Sequence, residues 1–245
     1  MTCKSIGAKI MSLSRTAMPY VFQFGEVLRY WPSLVTGVAM TLGFALVAMA
    51  LSLAVGVLGA VARRSRSRTV RGAVLAYVET IRNTPLLVQL FVLFFGLPSL
   101  GLRLDPMVAG LVGLVLYNGA FVTEIVGAGI QAVPRGQFEA GLSLGMSRHQ
   151  VYRHVVLVPA LAKVYPALVS QFVLLMLGTS VVSAIGVDEL TSVAGQIQSD
   201  TFRSVEVYLV CIAIYLLLTL ALRAAALGAG AWLFPFRRAA SHQRA

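Results

Sequence analysis

RGQFEAGLSLGMSRHQVYRHVVLVPAL, residues 135–161, carries arginines, histidines and a glutamate between runs that are almost wholly apolar. If the flanking runs cross a membrane, this segment is a loop folded against the bilayer surface. Composition favours that solvent. Of 245 residues, 58% are hydrophobic and 12% charged, about half the roughly 25% of an ordinary soluble domain. The net charge of +11 does not point to nucleic acid. Its basic residues are not interleaved with aromatics in a patch but gather at the ends of apolar runs.

A spanning helix needs ~20 mostly apolar residues. Five candidates fit, over about 34–62, 72–97, 106–131, 161–184 and 206–233. The expected fold is therefore an all-α membrane protein with five transmembrane helices. Lys and Arg accumulate on the cytoplasmic side. Arg63, Arg64, Arg66, Arg68 and Arg71 lie between spans one and two. Arg135, Arg148, Arg153 and Lys163 lie between three and four, and Arg237, Arg238 and Arg244 follow span five. The other two loops are acidic or nearly neutral, with Asp105, Asp188, Glu189 and Asp200. This orders the chain with its N-terminus out and its C-terminus in. Lys4, Lys9, Arg15 and Arg29 in the lead-in are the dissenting charges. Residues 1–32 lack the unbroken apolar core of a signal peptide and read as an extramembrane lead-in. Residues 234–245 read as a cytoplasmic basic tail. Cys3 and Cys211 suggest neither a disulfide framework nor a metal site, and no cofactor is expected.

On this topology the 135–161 segment is cytoplasmic. Phe138, Leu142 and Met146 recur every four residues, a helical face. Gly145 interrupts them. Ser147 and Gln150 then form a capping-box pattern for a second helix, and Pro159 is expected to mark re-entry into the membrane. The pattern by itself suits an amphipathic anchor or a docking surface equally well.

EAGLSLGMSRHQVYRHVVLVPAL resembles the EAA loop of ABC-importer permeases. Glu139, Ala140 and Gly145 match; Gly141 replaces the second alanine of the triplet; Leu157 and Pro159 match with Val158 between them. YVETIRNTPLLVQLFVLFFGLP (77–98), YNGAFVTEIVGAGIQAVPRGQ (117–137) and TSVVSAIGVDEL (179–190) resemble the polar amino-acid permeases of that group, in the same order. The resemblance implies a type-1 permease domain over residues 33–233 in a bacterial inner membrane. It also implies a partner ATPase dimer in the cytoplasm, a second permease subunit and a periplasmic substrate-binding protein. The loop would be a coupling helix, with Glu139, Ala140, Gly141, Gly145 and Arg148 at the ATPase contact. No G-x-x-x-x-G-K-[ST] phosphate loop occurs in the chain, so the energy must come from a partner.

Ionisable residues within spans are functional candidates by default. Glu79 and Arg82, three apart, are expected to form an internal ion pair. Asn83, Thr84 and Pro85, with Gln89 a turn later, suggest a kink or a substrate site. Asn118, Glu124, Gln171, Thr179 and Ser180 complete the tentative pathway. Thr179 and Ser180 also suit simple back-bonding to their own helix. The family resemblance implies an arginine at position 127 and a Lys-Asp pair before Thr179, where this chain has Gly127, Leu177 and Gly178. The second permease subunit is therefore expected to be a different chain, with two copies of this one as the alternative. The cargo is expected to be a polar amino acid, or else a related zwitterion such as an opine, ectoine or a sulfur amino acid. An intramembrane hydrolase is excluded, because His149, His154 and His242 all fall outside the expected spans. A channel or secondary transporter would leave the EAA-like loop without a role.

Overall fold

The structure, a computed structural model, describes residues 20–234. Its helices are α1 (Phe24–Leu28), α2 (Trp31–Ala62), α3 (Arg68–Arg82), α4 (Leu86–Leu100), α5 (Pro106–Gln131), α6 (Arg135–Ser143), α7 (Arg148–Ile185), α8 (Leu190–Thr201) and α9 (Ser204–Leu233). There is no β-strand among the described residues. Helices α2, α5, α7 and α9 are each long and apolar enough to cross a membrane.

The centre of the bundle is the α2–α5 contact. In lipid no hydrophobic force separates helix from solvent, so small residues that allow close approach drive association. Buried Ser52, Gly56 and Ala60 recur every four residues along α2. A Cβ on Gly56 would run into Val122, and one on Gly59 would meet Thr123 Oγ1 at 2.5 Å. Phe44, Ala48 and Met49 of α2, Leu114 of α5 and Met176 of α7 fill one part of the core. Val122, Val126 and Ile130 of α5 pack on Val151, Val156 and Ala160 of α7 in another.

The second expected span is not one helix. α3 and α4 meet at 108° across Asn83, Thr84 and Pro85. Proline has no N–H to give and its ring pushes the preceding residue out of the helical region, so the chain breaks rather than kinks. α3 also carries Arg68, Arg71, Glu79 and Arg82 and buries only Val78. It lacks the apolar surface of half a span. The fold therefore has four unbroken helices long enough to span, and a fifth crossing if the bent α3–α4 pair counts as one.

The fourth span begins earlier than expected. α7 runs without a break from Arg148, through Pro159, to Ile185. It widens into a π-type turn over Val151–Val156, just ahead of the proline ring that a regular turn would crowd.

The segment between α7 and α9, expected as a loop, holds α8. Leu190, Ala194 and Ile197 of α8 are buried against Val27 of α1, Leu34 of α2 and Val207 and Cys211 of α9. Glu189 caps α8 and is 1% exposed. Its carboxylate accepts from the Thr191 and Ser192 N–H groups at 2.7 and 3.0 Å, the Tyr215 hydroxyl at 2.7 Å and the Thr41 hydroxyl at 3.4 Å. Glu206 likewise ties the chain ahead of α1 to α9. It accepts from the Tyr20 hydroxyl and the Gln23 N–H, with Arg203 at 3.7 Å. That hydrogen bond to a carboxylate raises the Tyr20 phenol above its usual range.

Candidate transport pathway and coupling surface

The 135–161 segment folds as α6, a glycine turn and the start of α7. Leu144 and Gly145 donate back to Ala140 and Leu142 at 3.1 and 3.0 Å, and Met146 donates to Gly141 at 3.2 Å. The reversal requires a left-handed residue, and Gly145 has φ +78°, a conformation that a Cβ disfavours. Ser147 and Gln150 form the reciprocal capping box, with Ser147 N–H donating to Gln150 Oε1 at 2.8 Å.

α6 lies close against α7. Phe138 meets Tyr152 edge-on with ring centroids 5.3 Å apart. A Cβ on Gly141 would meet Val151 Cγ2 at 2.9 Å. The glycine in the family's alanine position is thus what seats α6 on buried Val151. Phe138 and Met146 pack against the core, but Leu142, expected on the same face, is exposed. α6 ends at Ser143, and Met146 reaches the core only from beyond the turn at Gly145, so the three do not share one continuous helical face. Glu139, Ala140 and Arg148 are exposed, as is Leu144 at 82%. An acidic group, a methyl and two uncovered leucines form one edge of the molecule.

The polar residues around the α3–α4 break bond to one another. Asn83 donates to the Glu79 carbonyl at 2.8 Å and to Glu79 Oε2 at 3.2 Å. Thr84 donates to the Thr80 carbonyl at 2.9 Å. Gln89 reaches back across the break to Thr84 Oγ1 at 2.7 Å and the Ile81 carbonyl at 2.9 Å. The carbonyls that Pro85 frees are satisfied by these side chains, and the bend is held as a defined corner.

Asn118, fully buried on α5, joins three spans. It donates to Ser52 Oγ on α2 at 2.6 Å and accepts from Gln171 on α7 at 2.9 Å. Thr179 and Ser180 back-bond to Met176 and Leu177 carbonyls, both at 2.7 Å.

The expected Glu79–Arg82 pair is replaced by a different one. Arg82 lies 3.5 Å from Glu124 and over the Phe121 ring at 5.3 Å. Arg63, at the end of α2, also pairs with Glu124. Glu79 is occupied by Asn83, and the α3–α5 packing brings Arg82 to Glu124. So Glu124 does not lack a partner. The missing side chain at Gly127 instead leaves open space beside it, part of a cavity of about 460 Å³ with Arg63, Arg71 and Gln131. All members of the triad remain partly exposed, so the site holds two cations and one anion accessible to a ligand. Arg63 was not singled out from the sequence because it lies in a basic run that also sets topology. Glu189 and Glu206 were missed because an acid at a span edge looks like ordinary loop charge.

Residues 52–228 match the family described as the inner membrane component of binding-protein-dependent transport systems. This chain belongs to that family. Among the family's members it is similar to the glutamine transport system permease protein GlnP of Escherichia coli (strain K12). The two are 34% identical over 197 residues, 78% of this chain and 90% of the relative. It is also similar to the nopaline transport system permease protein NocM of Agrobacterium fabrum (strain C58 / ATCC 33970), 34% identical over 223 residues, 87% and 92% of the two chains. Its fold matches the crystal structure of an amino acid ABC transporter with histidines at a TM-score of 0.78 and 35% identity. That match covers 84% of this chain and 97% of the other. The matched residues take in the α6–Gly145–α7 turn, the bent α3–α4 pair and α8.

Proposed function

We propose that this chain is the permease subunit of an importer that carries a polar amino acid across the inner membrane, driven by ATP hydrolysis on a separate ATPase dimer. The observation that carries the reading is the helix–glycine–helix edge with Glu139, Leu142 and Leu144 uncovered. Leu142 and Leu144 have no cover within the chain, and Glu139 beside them would be repelled by an anionic leaflet, so a protein partner suits this edge better than lipid. On this reading Glu139, Ala140, Gly141, Gly145 and Arg148 form the coupling contact. The chain crosses the membrane with its N-terminus out and C-terminus in, the bent α3–α4 pair counting as one crossing. A periplasmic binding protein delivers cargo on the side of α1 and α8.

The substrate class is supported by the glutamine relative and by chemistry. A zwitterion moved into low dielectric needs a compensating group for each charge. Glu124 offers an acceptor for an ammonium, and Arg63 or Arg82 a partner for a carboxylate. The second permease subunit remains a different chain on this reading, since the charges implied at 127, 177 and 178 are absent here; two copies of this chain are the alternative, supported by the two guanidiniums at Glu124, which give it both signs. The nopaline relative supports a second reading, the same architecture moving an opine or similar zwitterion. Asn83, Thr84, Gln89, Asn118, Gln171, Thr179 and Ser180 then serve the pathway by fixing its walls, since their hydrogen bonds are already made.

Glu139→Arg and Gly145→Val test the coupling claim. Both variants should insert normally and lose assembly with the ATPase or binding-protein-stimulated ATP hydrolysis. Undiminished hydrolysis and transport in both would make the segment an anchor.

A further inference from the structure

We infer that the cytoplasmic face of this subunit holds a discrete site for one anionic phospholipid, in a cavity of about 780 Å³ between the α2–α3 loop and the start of α7. This rests on the orientation proposed above, which puts the Arg63–Arg71 segment at the inner leaflet. The cavity is within the ~300–1,000 Å³ of typical small-molecule sites. Its walls are Val61, Val70, Ile130, Val156 and Leu157, an acyl-chain surface with no carboxylate anywhere in the lining. Val61 and Val70 remain about half exposed, so this apolar surface has no cover within the chain.

Three exposed basic side chains, Arg64, His149 and Arg153, share the same lining. Neither guanidinium is engaged by an acid or a hydrogen-bond acceptor among the described residues. Nearby Arg63 differs, because it is already ion-paired with Glu124 and lies outside this lining. An apolar cleft at the interface with two free guanidiniums and no acid in its own lining matches a phosphodiester head on acyl chains; Glu139 lines the adjoining cavity that shares Arg64 and Tyr152. Basic pockets between helices on the cytoplasmic side bind such head groups, and arginine suits phosphate by its planar fork of donors. The chain's own tail is a poor occupant, since Arg237, Arg238 and Arg244 would meet Arg64 and Arg153. Tyr152 also lines the cavity while its ring packs on Phe138 of α6. A bound lipid therefore braces the coupling segment from behind.

The test titrates the full-length chain in mild detergent with phosphatidylglycerol and, separately, phosphatidylcholine, counting bound lipids by native mass spectrometry. One phosphatidylglycerol per chain should bind well ahead of phosphatidylcholine. Arg64→Gln with Arg153→Gln should weaken that event by roughly 30-fold, two surface cations' worth. Val70→Trp, on an exposed position, should fill the cavity and weaken it with every charge retained. Arg66→Gln with Arg68→Gln, in the same loop but outside the lining, should leave it unchanged. Equal binding of the two lipids, or equal loss in the Arg66/Arg68 control, would reduce the site to diffuse basic attraction. An unaffected Arg64/Arg153 or Val70→Trp variant would place the lipid elsewhere. Lipid binding that rises on deleting residues 235–245 would give the cavity to the tail, and complete displacement by the ATPase would give it to that partner. Because the titration uses neither ATP nor cargo, its failure is separate from failure of the importer reading.

Discussion

Glu189→Ala should loosen α8 from the bundle. The substitution strands two backbone N–H groups at the start of α8, an N-cap loss of typically ~1 kcal/mol. It also takes a buried acceptor from the Tyr215 and Thr41 hydroxyls. Hydrogen bonds to a charged group are worth about 1.5–3 kcal/mol. Tyr215 keeps a fallback, however, since it shares a bond with Thr191 Oγ1 at 3.0 Å, and the Thr41 hydroxyl, which still accepts from Leu190 N–H at 3.1 Å, gives up only a long donation of 3.4 Å. The net loss is then about 2–4 kcal/mol. At about 1.4 kcal/mol per tenfold, exchange of the α8 amides should accelerate by roughly 30- to 1,000-fold. Hydrogen–deuterium exchange by mass spectrometry on the detergent-solubilised chain reads this directly, with α2 peptides as the internal control. Tyr215→Phe removes only one partner and should accelerate exchange by roughly fivefold, about 1 kcal/mol. Unchanged α8 exchange in Glu189→Ala would mean that Leu190, Ala194 and Ile197 hold α8 by themselves and that the buried carboxylate is incidental.

Gly56→Leu should drive α2 from α5, because its side chain enters space held by Val122; overpacking of about 1–3 kcal/mol should lower the midpoint of thermal aggregation in detergent, and an unshifted midpoint would refute the close contact. Glu124→Gln and Arg82→Gln should each reduce ATP-driven uptake more than tenfold while the folded yield stays near wild type; full activity in both would remove the triad from the pathway. Reporters active only outside the cytoplasm, fused after residues 102, 144, 202 and 240, should give signal at the first and third sites alone, and the opposite pattern would invert the topology.

The long spans were legible because hydrophobicity in lipid is a one-dimensional signal. The run 106–131 coincides with α5, and 206–233 falls within α9. The capping box at Ser147 and the glycine at 145 were legible because they are local chemistry, satisfied within four residues. The α3–α4 corner was not. Hydropathy over 72–97 sees apolar residues on either side of Pro85, and the strength of the break depends on Gln89 reaching back to Ile81 and Thr84. The Arg82–Glu124 pair was misassigned for a related reason. Helical spacing offered Glu79, while packing of α3 on α5 offered a partner 42 positions away. Glu189 was hidden because its meaning depends on Tyr215 and Thr41, which only the folded bundle brings together.

The most direct measurement is amino-acid uptake into proteoliposomes holding this chain, its ATPase and its binding protein. The account predicts ATP-dependent accumulation of a polar amino acid, abolished when either soluble partner is omitted and in Glu139→Arg. Uptake that persists without the ATPase would contradict it. So would the absence of any ATP-driven amino-acid uptake even after a second membrane chain from the same locus is added.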